Sequence, residues 1–252
     1  ENIAGTIRHT TLTRYQGAAR IHINPHLGGK PITQVTGKDV QKLYDALASH
    51  GNQITGKGLA SSTIRGIHSM LHEAMDAAKQ AGLIPWNPTE EIPTPKFACK
   101  VKQILTDEQL DIFMAIIQQD DIWHDFFYTE LTTGLRRGEI CGLKWTDFDE
   151  IDGTLKVRRT IHQEKGGKLT AWDTKTAAGA RTIILPPSTV ERLRERQKSA
   201  LTEWIFPDPL RPEQPTRPSA AYNRMKSLLK KADLPDLRFH DLRHTFATLA
   251  LQ

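Results

Sequence analysis

The last fifteen residues, RFHDLRHTFATLALQ at positions 238–252, repeat their apolar residues at the spacing of an amphipathic helix. One side of that helix carries His240, Arg243 and His244 within an arc of about 100 degrees. The opposite, apolar side consists of Leu242, Phe246 and Leu249. An arginine fork and an imidazole presented together suit an anion such as phosphate. The segment therefore predicts either a phosphate-binding helix or a helix with a solvated polar face.

Paired histidines can also bind a metal, but this pair does not fit the zinc-protease pattern. His240 and His244 have the spacing of the HExxH motif, yet Asp241 stands where that motif requires glutamate. No third ligand is evident, so no metal site is predicted. Cys99 and Cys141 lie far apart without a CxxC pattern, so neither a disulfide framework nor a cysteine zinc site is expected, which fits a reducing cytoplasm.

Two further segments place basic residues where a ligand could meet them. In TTGLRRGEICGLKW, Arg136 and Arg137 are adjacent, and Glu139 follows Arg136 by three positions. Adjacent helical residues point in different directions, so one arginine is expected to face inward and the other solvent. A buried Arg136 needs Glu139 or a phosphate as its partner, and a surface ion pair is the alternative. In TAWDTKTAAGARTIILP, Lys175 is predicted at the tip of a hairpin, where it either reaches a ligand or is simply exposed.

The amino-acid composition is a weaker indication of a negatively charged partner. The 252 residues carry a formal net charge of +5, and the sequence pI of about 9.2 mildly favours a polyanionic partner. Between positions 175 and 231, twelve Lys/Arg outnumber five Asp/Glu, so one face of a domain is predicted to be basic. No apolar run approaches the length of a membrane span. Because the sequence starts at Glu1 rather than methionine, we expect it to be part of a longer chain.

Two domains are predicted, because the chain is long enough for two cores and has a proline-rich break between them. Helices are expected over residues 37–51 and 61–82, the second with Ser61 or Ser62 as its N-cap. Prolines crowd into LIPWNPTEEIPTPKFACK, which indicates an extended connection. The predicted parts are a helical first domain at 1–92, a linker at 93–103 and a second domain at 104–252.

The second domain is predicted to be mainly helical with a small antiparallel β-sheet. It opens with a capping box formed by Thr106 and Gln109. Between 153 and 186 the apolar periodicity shifts towards two residues, which predicts three short antiparallel strands. A proline-rich loop is expected at 206–219. The predicted helices span 105–119, 121–133, 135–145, 188–204 and 219–233.

Taken together and in this order, TGLRRGE, TKTAAGARTIILP and HDLRHTFAT resemble the tyrosine recombinases, the phage-integrase family of site-specific DNA recombinases. The earlier segments ITQVTGKDVQKLYDAL, SSTIRGIHSMLHEAMDAA and LIPWNP are similar to the helical, SAM-like core-binding domain that precedes the catalytic domain in this family. The whole resembles integrases of phages and conjugative transposons. This resemblance implies a two-domain, C-shaped clamp around DNA.

The resemblance also implies roles for individual residues. Arg136 and Arg243 would clamp the scissile phosphate, and His240 would donate a hydrogen bond to it. Lys175 would act as the general acid that protonates the departing 5′-hydroxyl. Supporting roles fall to Glu139, beside Arg136, and to His244, which belongs to the motif without being a central catalyst. Cationic donors stabilise the charge that develops in phosphoryl transfer, so no cofactor and no metal are expected.

In this family a tyrosine attacks the phosphate and forms a 3′-phosphotyrosyl intermediate. That tyrosine follows HDLRHTFAT beyond an LGH-like segment, whereas Tyr15, Tyr44, Tyr128 and Tyr222 all precede His240. We therefore expect a catalytic domain that is truncated at its C-terminus. Residues 1–252 alone are expected to bind DNA without cleaving it.

Weaker candidates for contacts with DNA surround the predicted start of a helix in the first domain, where amides and short polar chains hold phosphates. They are Lys57, Ser61, Ser62, Thr63, Arg65 and His68. Further candidates in the second domain are Arg137, Arg181, Lys226, Lys230 and Lys231. Each of these residues is otherwise an ordinary solvated side chain.

The expected partner is double-stranded DNA, bound by four protomers in a synapse, with accessory directionality or DNA-bending factors and without a membrane. A bacterial cytoplasmic protein acting on the nucleoid is expected. Two alternatives stay open. One is a catalytically silent DNA-binding regulator on the same scaffold, and the other is a phosphate-ester hydrolase that uses water at the same clamp.

Overall fold

The computed structural model describes residues 9–93, 104–164, 166–173 and 180–249, and the chain divides into two compact units, 1–100 and 101–252. α-Helices are the main secondary structure of both units, and the described strands all lie in the second unit. The predicted fold class, mainly helical with small antiparallel sheets in the second part, is therefore confirmed.

The first unit is a set of helices around one apolar core. Its elements are α1 (His9–Ala18), a π-helical turn (Ala19–Ile23), α2 (Asn24–Leu27), a 3-10 turn (Ile32–Gln34), α3 (Gly37–His50) and α4 (Ser61–Gln80). A capping box begins α3: the Asp39 N–H donates to Thr36 Oγ1 (3.4 Å), and the Thr36 N–H donates to Asp39 Oδ2 (3.0 Å). The core consists of Leu27, Val35, Val40, Leu43, Tyr44, Leu47, Ile64, Ile67, Leu71, Met75, Ala78 and Ile84.

The start of α4 differs from the predicted serine cap. Ala60 occupies the N-cap, and its carbonyl accepts hydrogen bonds from the N–H groups of Thr63 (2.8 Å) and Ile64 (3.1 Å). The helix therefore starts early enough that Ser61 and Ser62 both lie in its first turn, with exposed side chains. A helix start without a side-chain cap leaves backbone N–H groups for water or a bound anion.

The second unit contains the remaining helices. They are α5 (Asp107–Ile117), α6 (His124–Thr133), α7 (Arg137–Cys141), a 3-10 turn (Trp145–Asp147), α8 (Pro187–Lys198), α9 (Pro218–Lys231) and α10 (Phe239–Leu249). The predicted capping box of α5 is confirmed, since the Gln109 N–H donates to Thr106 Oγ1 (3.3 Å) and the Thr106 N–H donates to Gln109 Oε1 (3.1 Å). The helix over 238–252 is present as α10, in the residues that are described.

Seven strands form three small antiparallel sheets in this part of the described chain. They are β1 (Phe148–Asp149), β2 (Thr154–Val157), β3 (Arg159–Gln163), β4 (Leu169–Asp173), β5 (Arg181–Ile184), β6 (Pro207–Asp208) and β7 (Arg211–Pro215). The sheets have the orders β1-β2-β5, β3-β4 and β6-β7. The expected proline-rich loop at 206–219 thus contains a hairpin, in which Asp208 pairs with Arg211.

The prediction of three strands between 153 and 186 is wrong, because the described residues of this stretch form four strands that belong to two sheets. The stretch TLKVRRTIHQ divides at Arg158 into β2 and β3. The start of β3 leaves the sheet because Arg159 donates to buried Asp147 Oδ2 (2.5 Å) and to the Gly142 carbonyl (2.9 Å). Those contacts draw β3 towards α7.

The predicted hairpin around Lys175 is also wrong. The strands before and after it, β4 and β5, pair with β3 and β2 rather than with each other. The chain between them therefore connects two different sheets. Lys175 itself lies outside the described residues.

The core of the second unit centres on aromatic rings that join α6 to α10. Phe126 of α6 packs edge-on against Phe127 (5.3 Å between ring centroids), Phe206 (5.3 Å) and Phe239 (6.3 Å). Phe239 is the first residue of α10, so these contacts fix where that helix begins relative to α6.

Phe126→Ala is expected to lower the free energy of unfolding of the second unit by about 3–5 kcal/mol, because the ring is fully buried and its loss leaves a cavity. Urea unfolding of the two proteins measures the difference. Ile122→Ala is the matched control, since Ile122 is 57% exposed and its replacement should change stability by less than about 0.5 kcal/mol. Equal effects of the two changes would contradict the assignment of Phe126 to the core.

Candidate active site

A left-handed turn joins α6 to α7 and presents the arginine pair of TGLRRGE. Gly134 has φ = +57° and ends α6, with its N–H donating to the Glu130 carbonyl (2.8 Å). Arg136 is the N-cap residue of α7, which therefore begins two residues later than the predicted helix over 135–145. A Cβ on Gly138 would lie 2.4 Å from Thr160 Oγ1, so only glycine allows α7 this close to β3.

Glu139 is the buried centre of this turn, with 4% of its side chain exposed. It accepts hydrogen bonds from the Arg136 N–H (2.9 Å, Oε2) and from Arg136 Nη1 (2.7 Å, Oε1). A second arginine, Arg181, donates from Nη1 to Oε1 (3.1 Å) and from Nη2 to Oε2 (2.7 Å). Burial alone would raise the pKa of Glu139, but the bonds from Arg181 and Arg136 outweigh it and lower that pKa to about 2. The carboxylate is therefore ionised at any physiological pH.

The sequence predicted that one arginine of the TGLRRGE segment faces inward and the other faces solvent. That prediction is wrong. Arg136 has 56% of its side chain exposed, and Arg137 is exposed as well. Arg137 lies over the ring of Tyr222, 5.8 Å from its centroid. The charged residue of this segment that points inward is Glu139. Its carboxylate can be buried because a backbone N–H at the helix start, that of Arg136, donates a hydrogen bond to it.

The polar face of α10 meets the same turn. Arg243 is partly buried, and its Nη1 donates to the Gly134 carbonyl (2.6 Å). Asp241 accepts a hydrogen bond from the Arg238 N–H (2.9 Å) and fixes the first turn of α10. Arg243 therefore binds the carbonyl of the turn that Arg136 follows by two positions.

His240 completes the group. Its ring lies 4.7 Å from that of His244, at 81°. The His240 side chain is exposed, but neighbouring protein groups displace part of its water and lower its pKa. The charges of His244 and Arg243 lower that pKa further, Asp241 raises it, and Arg136 lowers it. The imidazole is therefore neutral at neutral pH and can donate one N–H. His240 lines a cleft together with Leu135 and Arg137, so segments distant in sequence meet here.

These side chains leave an excess of positive charge. Three guanidinium groups, those of Arg136, Arg181 and Arg243, accompany one ionised carboxylate, so the balance is two positive charges (3 − 1). An exposed arginine, a partly buried arginine and a neutral imidazole are donors suited to tetrahedral oxyanions. Within the described ranges, no group of three or more His, Cys, Asp or Glu side chains has the arrangement of a metal site.

The candidates for contact with DNA in the first unit divide into two classes. His68 is partly buried, and its Nδ1 lies 2.7 Å from the Tyr44 hydroxyl. This contact connects α4 to α3, and the His68 ring also stacks on that of His72 within α4, 5.9 Å away. Exposed side chains near the start of α4 are those of Lys57, Ser61, Ser62, Thr63 and Arg65. In the second unit, Lys226 forms an ion pair with Asp236.

One buried acid near the site was not predicted. Glu130 of α6 is fully buried, and neither carboxyl oxygen has a hydrogen-bond partner among the described residues. Burial raises the pKa of Glu130 well above its usual value, the charge of Arg243 lowers it, and Glu139 raises it. The sequence contained a signal, because Glu130 follows Phe126 by four positions and therefore lies on the apolar face of α6.

Comparison with known proteins identifies the family. Residues 103–252 match the phage integrase family, and residues 1–48 match the phage integrase N-terminal SAM-like domain. The chain belongs to the phage integrase family. The resemblance carried by TGLRRGE and HDLRHTFAT is thereby confirmed.

Relatives of this integrase-family chain include bacterial recombinases. It is 27% identical over 268 residues to a tyrosine recombinase XerC-like protein of Caldanaerobacter subterraneus subsp. tengcongensis, covering 94% of this chain and 66% of that protein. It is 24% identical over 227 residues to the ICEBs1 integrase of Bacillus subtilis, covering 84% of this chain and 61% of the relative. The chain therefore spans somewhat less than two thirds of the length of these relatives.

Solved integrases share the fold. A Tn1549 transposon integrase in complex with a circular intermediate DNA superposes with a TM-score of 0.81 at 24% identity, covering 98% of this chain and 83% of that one. A lambda integrase dimer bound to a COC′ core site gives a TM-score of 0.72 at 22% identity, covering 99% of this chain and 86% of that one.

Among the described helices of this integrase-family chain, none has both the length and the apolar character of a membrane span.

Glu130→Gln is expected to remove part of the pH dependence of stability. A carboxyl whose pKa is raised by folding makes its full contribution to the stability of the folded state below its ordinary pKa near 4.5. That contribution is lost as the pH rises towards the folded-state pKa. The advantage of Glu130→Gln over the original protein should thus grow above about pH 4.5, by at most about 1.4 kcal/mol per pH unit. Urea unfolding at several pH values measures it.

The matched control for this experiment is Glu150→Gln, since the Glu150 side chain is 57% exposed. Its curve of unfolding free energy against pH should stay close to that of the original protein. Parallel curves for the Glu130→Gln protein and the original would contradict the buried, unpaired state of Glu130.

Proposed function

We propose that the intact protein is a site-specific tyrosine recombinase that integrates or excises a mobile DNA element. Family membership supports the reaction class, and the names of relatives such as the ICEBs1 integrase and the Tn1549 transposon integrase support the mobile element. The observation that supports the proposal is that Arg243 binds the Gly134 carbonyl, two positions before Arg136, while His240 lines a cleft with residues next to Arg136.

In the proposed mechanism these three side chains hold the scissile phosphate. The guanidinium groups of Arg136 and Arg243 bind its nonbridging oxygens, where negative charge develops in the transition state. His240, which is neutral, donates one hydrogen bond to the same phosphate. Glu139 orients Arg136, and His244 supports the ring of His240 through their edge-to-face contact.

The proposed reaction exchanges one phosphodiester for another. A tyrosine oxygen attacks the phosphorus, a 3′-phosphotyrosyl bond forms, and the bond to the 5′-oxygen breaks. Lys175 protonates that leaving oxygen. The 5′-hydroxyl of a partner strand then attacks the phosphotyrosine, and the tyrosine leaves. Each step replaces one phosphate ester by another, so no external energy source is needed.

We propose that the nucleophile is none of the four tyrosines in residues 1–252. Tyr44 is buried against His68, and the Tyr128 hydroxyl donates to Ser188 Oγ (2.9 Å). Tyr15 contacts Glu73 in the first unit (3.4 Å). Tyr222 needs a direct test, because it lines a cleft of about 320 Å³ together with Arg137 and His240. On this proposal the 252 residues bind DNA without cleaving it.

The proposed partners are double-stranded DNA and further copies of the chain. Lambda integrase has been solved as a tetramer bound to a Holliday junction, and we propose four copies of this chain in the corresponding synapse, in the bacterial cytoplasm. The predicted domain 1–92 would bind DNA through the start of α4, where Ser61, Ser62, Thr63 and Arg65 are exposed. Arg137 is the corresponding candidate beside the catalytic site.

The test uses the protein as its gene encodes it and a nicked suicide DNA substrate, with covalent adduct detected on a denaturing gel. An adduct formed by that protein, but not by residues 1–252, is the expected result. Tyr222→Phe should leave the adduct intact. Loss of adduct with Tyr222→Phe would overturn the assignment of the nucleophile. Binding without any adduct would favour a DNA-binding regulator, and release of cleaved DNA without rejoining would favour a hydrolase.

Arg243→Ala is expected to slow adduct formation at saturating DNA by roughly 10²–10³-fold, because a preorganised cationic donor to the transition state is removed. DNA affinity should change far less, since other phosphate contacts remain. The matched control is Arg194→Ala, because Arg194 of α8 pairs with Glu150 away from these side chains. A loss of rate that weaker binding fully explains, or an equal loss in the control, would contradict the role of Arg243.

A further inference from the structure

Arg181 has a contact that a DNA-binding side chain does not need. Both of its terminal nitrogens donate to Glu139, one to each oxygen, at 3.1 Å and 2.7 Å. Glu139 is almost fully buried, and 29% of the Arg181 side chain is exposed. Such a two-point fork fixes the plane of the carboxylate as well as its position. The same carboxylate holds the Arg136 guanidinium at 2.7 Å.

We propose that Arg181 is a positioning residue of the recombinase site, acting through Glu139 on Arg136. This inference rests on the proposed function. It replaces the expectation that Arg181 contacts the DNA backbone, because the fork that would bind a phosphate is engaged by Glu139.

Charge balance gives Arg181 a second effect. With Arg136 alone, the ionised Glu139 would form a pair of zero net charge and weaken the attraction of Arg136 for phosphate. Arg181 offsets that carboxylate, so the group of three retains one positive charge (2 − 1). Arg136 is thereby held by an acid without losing its electrostatic effect on a phosphate.

Position in the chain gives the contact a further consequence. Arg181 is the first residue of β5 and pairs with Val157 of β2. It follows Lys175, the proposed general acid, by six positions. The bond to Glu139 therefore ties the strand after Lys175 to the helix start that carries Arg136, although Arg181 and Glu139 are 42 residues apart.

The proposal predicts that restoring only the positive charge at position 181 has a smaller effect than restoring both the charge and the two-point hydrogen-bond geometry of arginine. Arg181→Met should slow adduct formation at saturating DNA by roughly 10²-fold, because small displacements of a catalytic group have costs of that order. Arg181→Lys restores the charge but not the fork, so it should recover only part of the rate. Glu139→Gln combined with Arg181→Met should be no slower than the slower single variant, since both changes break one linkage. A double variant whose rate falls by the product of the two single-variant reductions would overturn the proposal.

Salt dependence separates positioning from DNA contact. A lost phosphate contact reduces the slope of log affinity against log salt by about one. Arg181→Met should leave that slope unchanged while the rate falls, with Arg194→Met as the control for loss of a surface arginine. A reduced slope with an unchanged rate at saturating DNA would identify a DNA contact and overturn the proposal. Thermal unfolding of both variants excludes general loss of structure.

A readout independent of catalysis keeps this inference distinct from the proposed function. ¹⁵N relaxation of the Arg136 side chain in the protein as its gene encodes it should show greater mobility with Arg181→Met and unchanged mobility with Arg194→Met. If the original protein forms no adduct, the proposed function fails and this measurement alone decides about Arg181. Unchanged Arg136 mobility would then overturn the positioning role, and increased mobility would support it.

Discussion

The buried carboxylate of Glu139 is the interaction on which the rest of the site depends. Removing a carboxylate from water is costly unless hydrogen bonds and opposite charges replace the water. Here an N–H at the start of α7 and the guanidinium groups of Arg136 and Arg181 supply them. One side chain therefore caps a helix, attaches β5 to it and orients an exposed arginine. Without it, two guanidinium groups would repel each other across the helix start.

The fold brings α10 to this carboxylate through two backbone features and an aromatic cluster. Gly134 turns the chain between α6 and α7 and offers its carbonyl to Arg243. Gly138 allows α7 to approach β3. Phe126 packs on Phe239 and so fixes the beginning of α10. The positions of the polar residues are thus set by contacts that are themselves apolar or backbone.

Local signals predicted the helices and part of the site. The capping box at Thr106 and the helix α10 involve residues close in sequence, and the described structure contains both. Strand pairing could not be predicted in the same way. β3 does not join the sheet of β2, because its first residue, Arg159, is bound to Asp147, twelve residues earlier in the chain. The bond between Arg181 and Glu139 has no local signature for the same reason. Glu130 differs, since its place on an apolar helix face was readable from the sequence.

The surplus of positive charge around the Gly134 turn has a practical consequence for handling this protein. A cluster of fixed donors with two uncompensated charges does not discriminate between a phosphodiester and other tetrahedral oxyanions. Sulfate or inorganic phosphate in a purification buffer would therefore occupy the place proposed for a DNA phosphate. Bound ions of this kind would raise the melting temperature by mass action while competing with the DNA of the proposed function. For this chain, a buffer chosen for stability is thus a poor choice for measuring affinity.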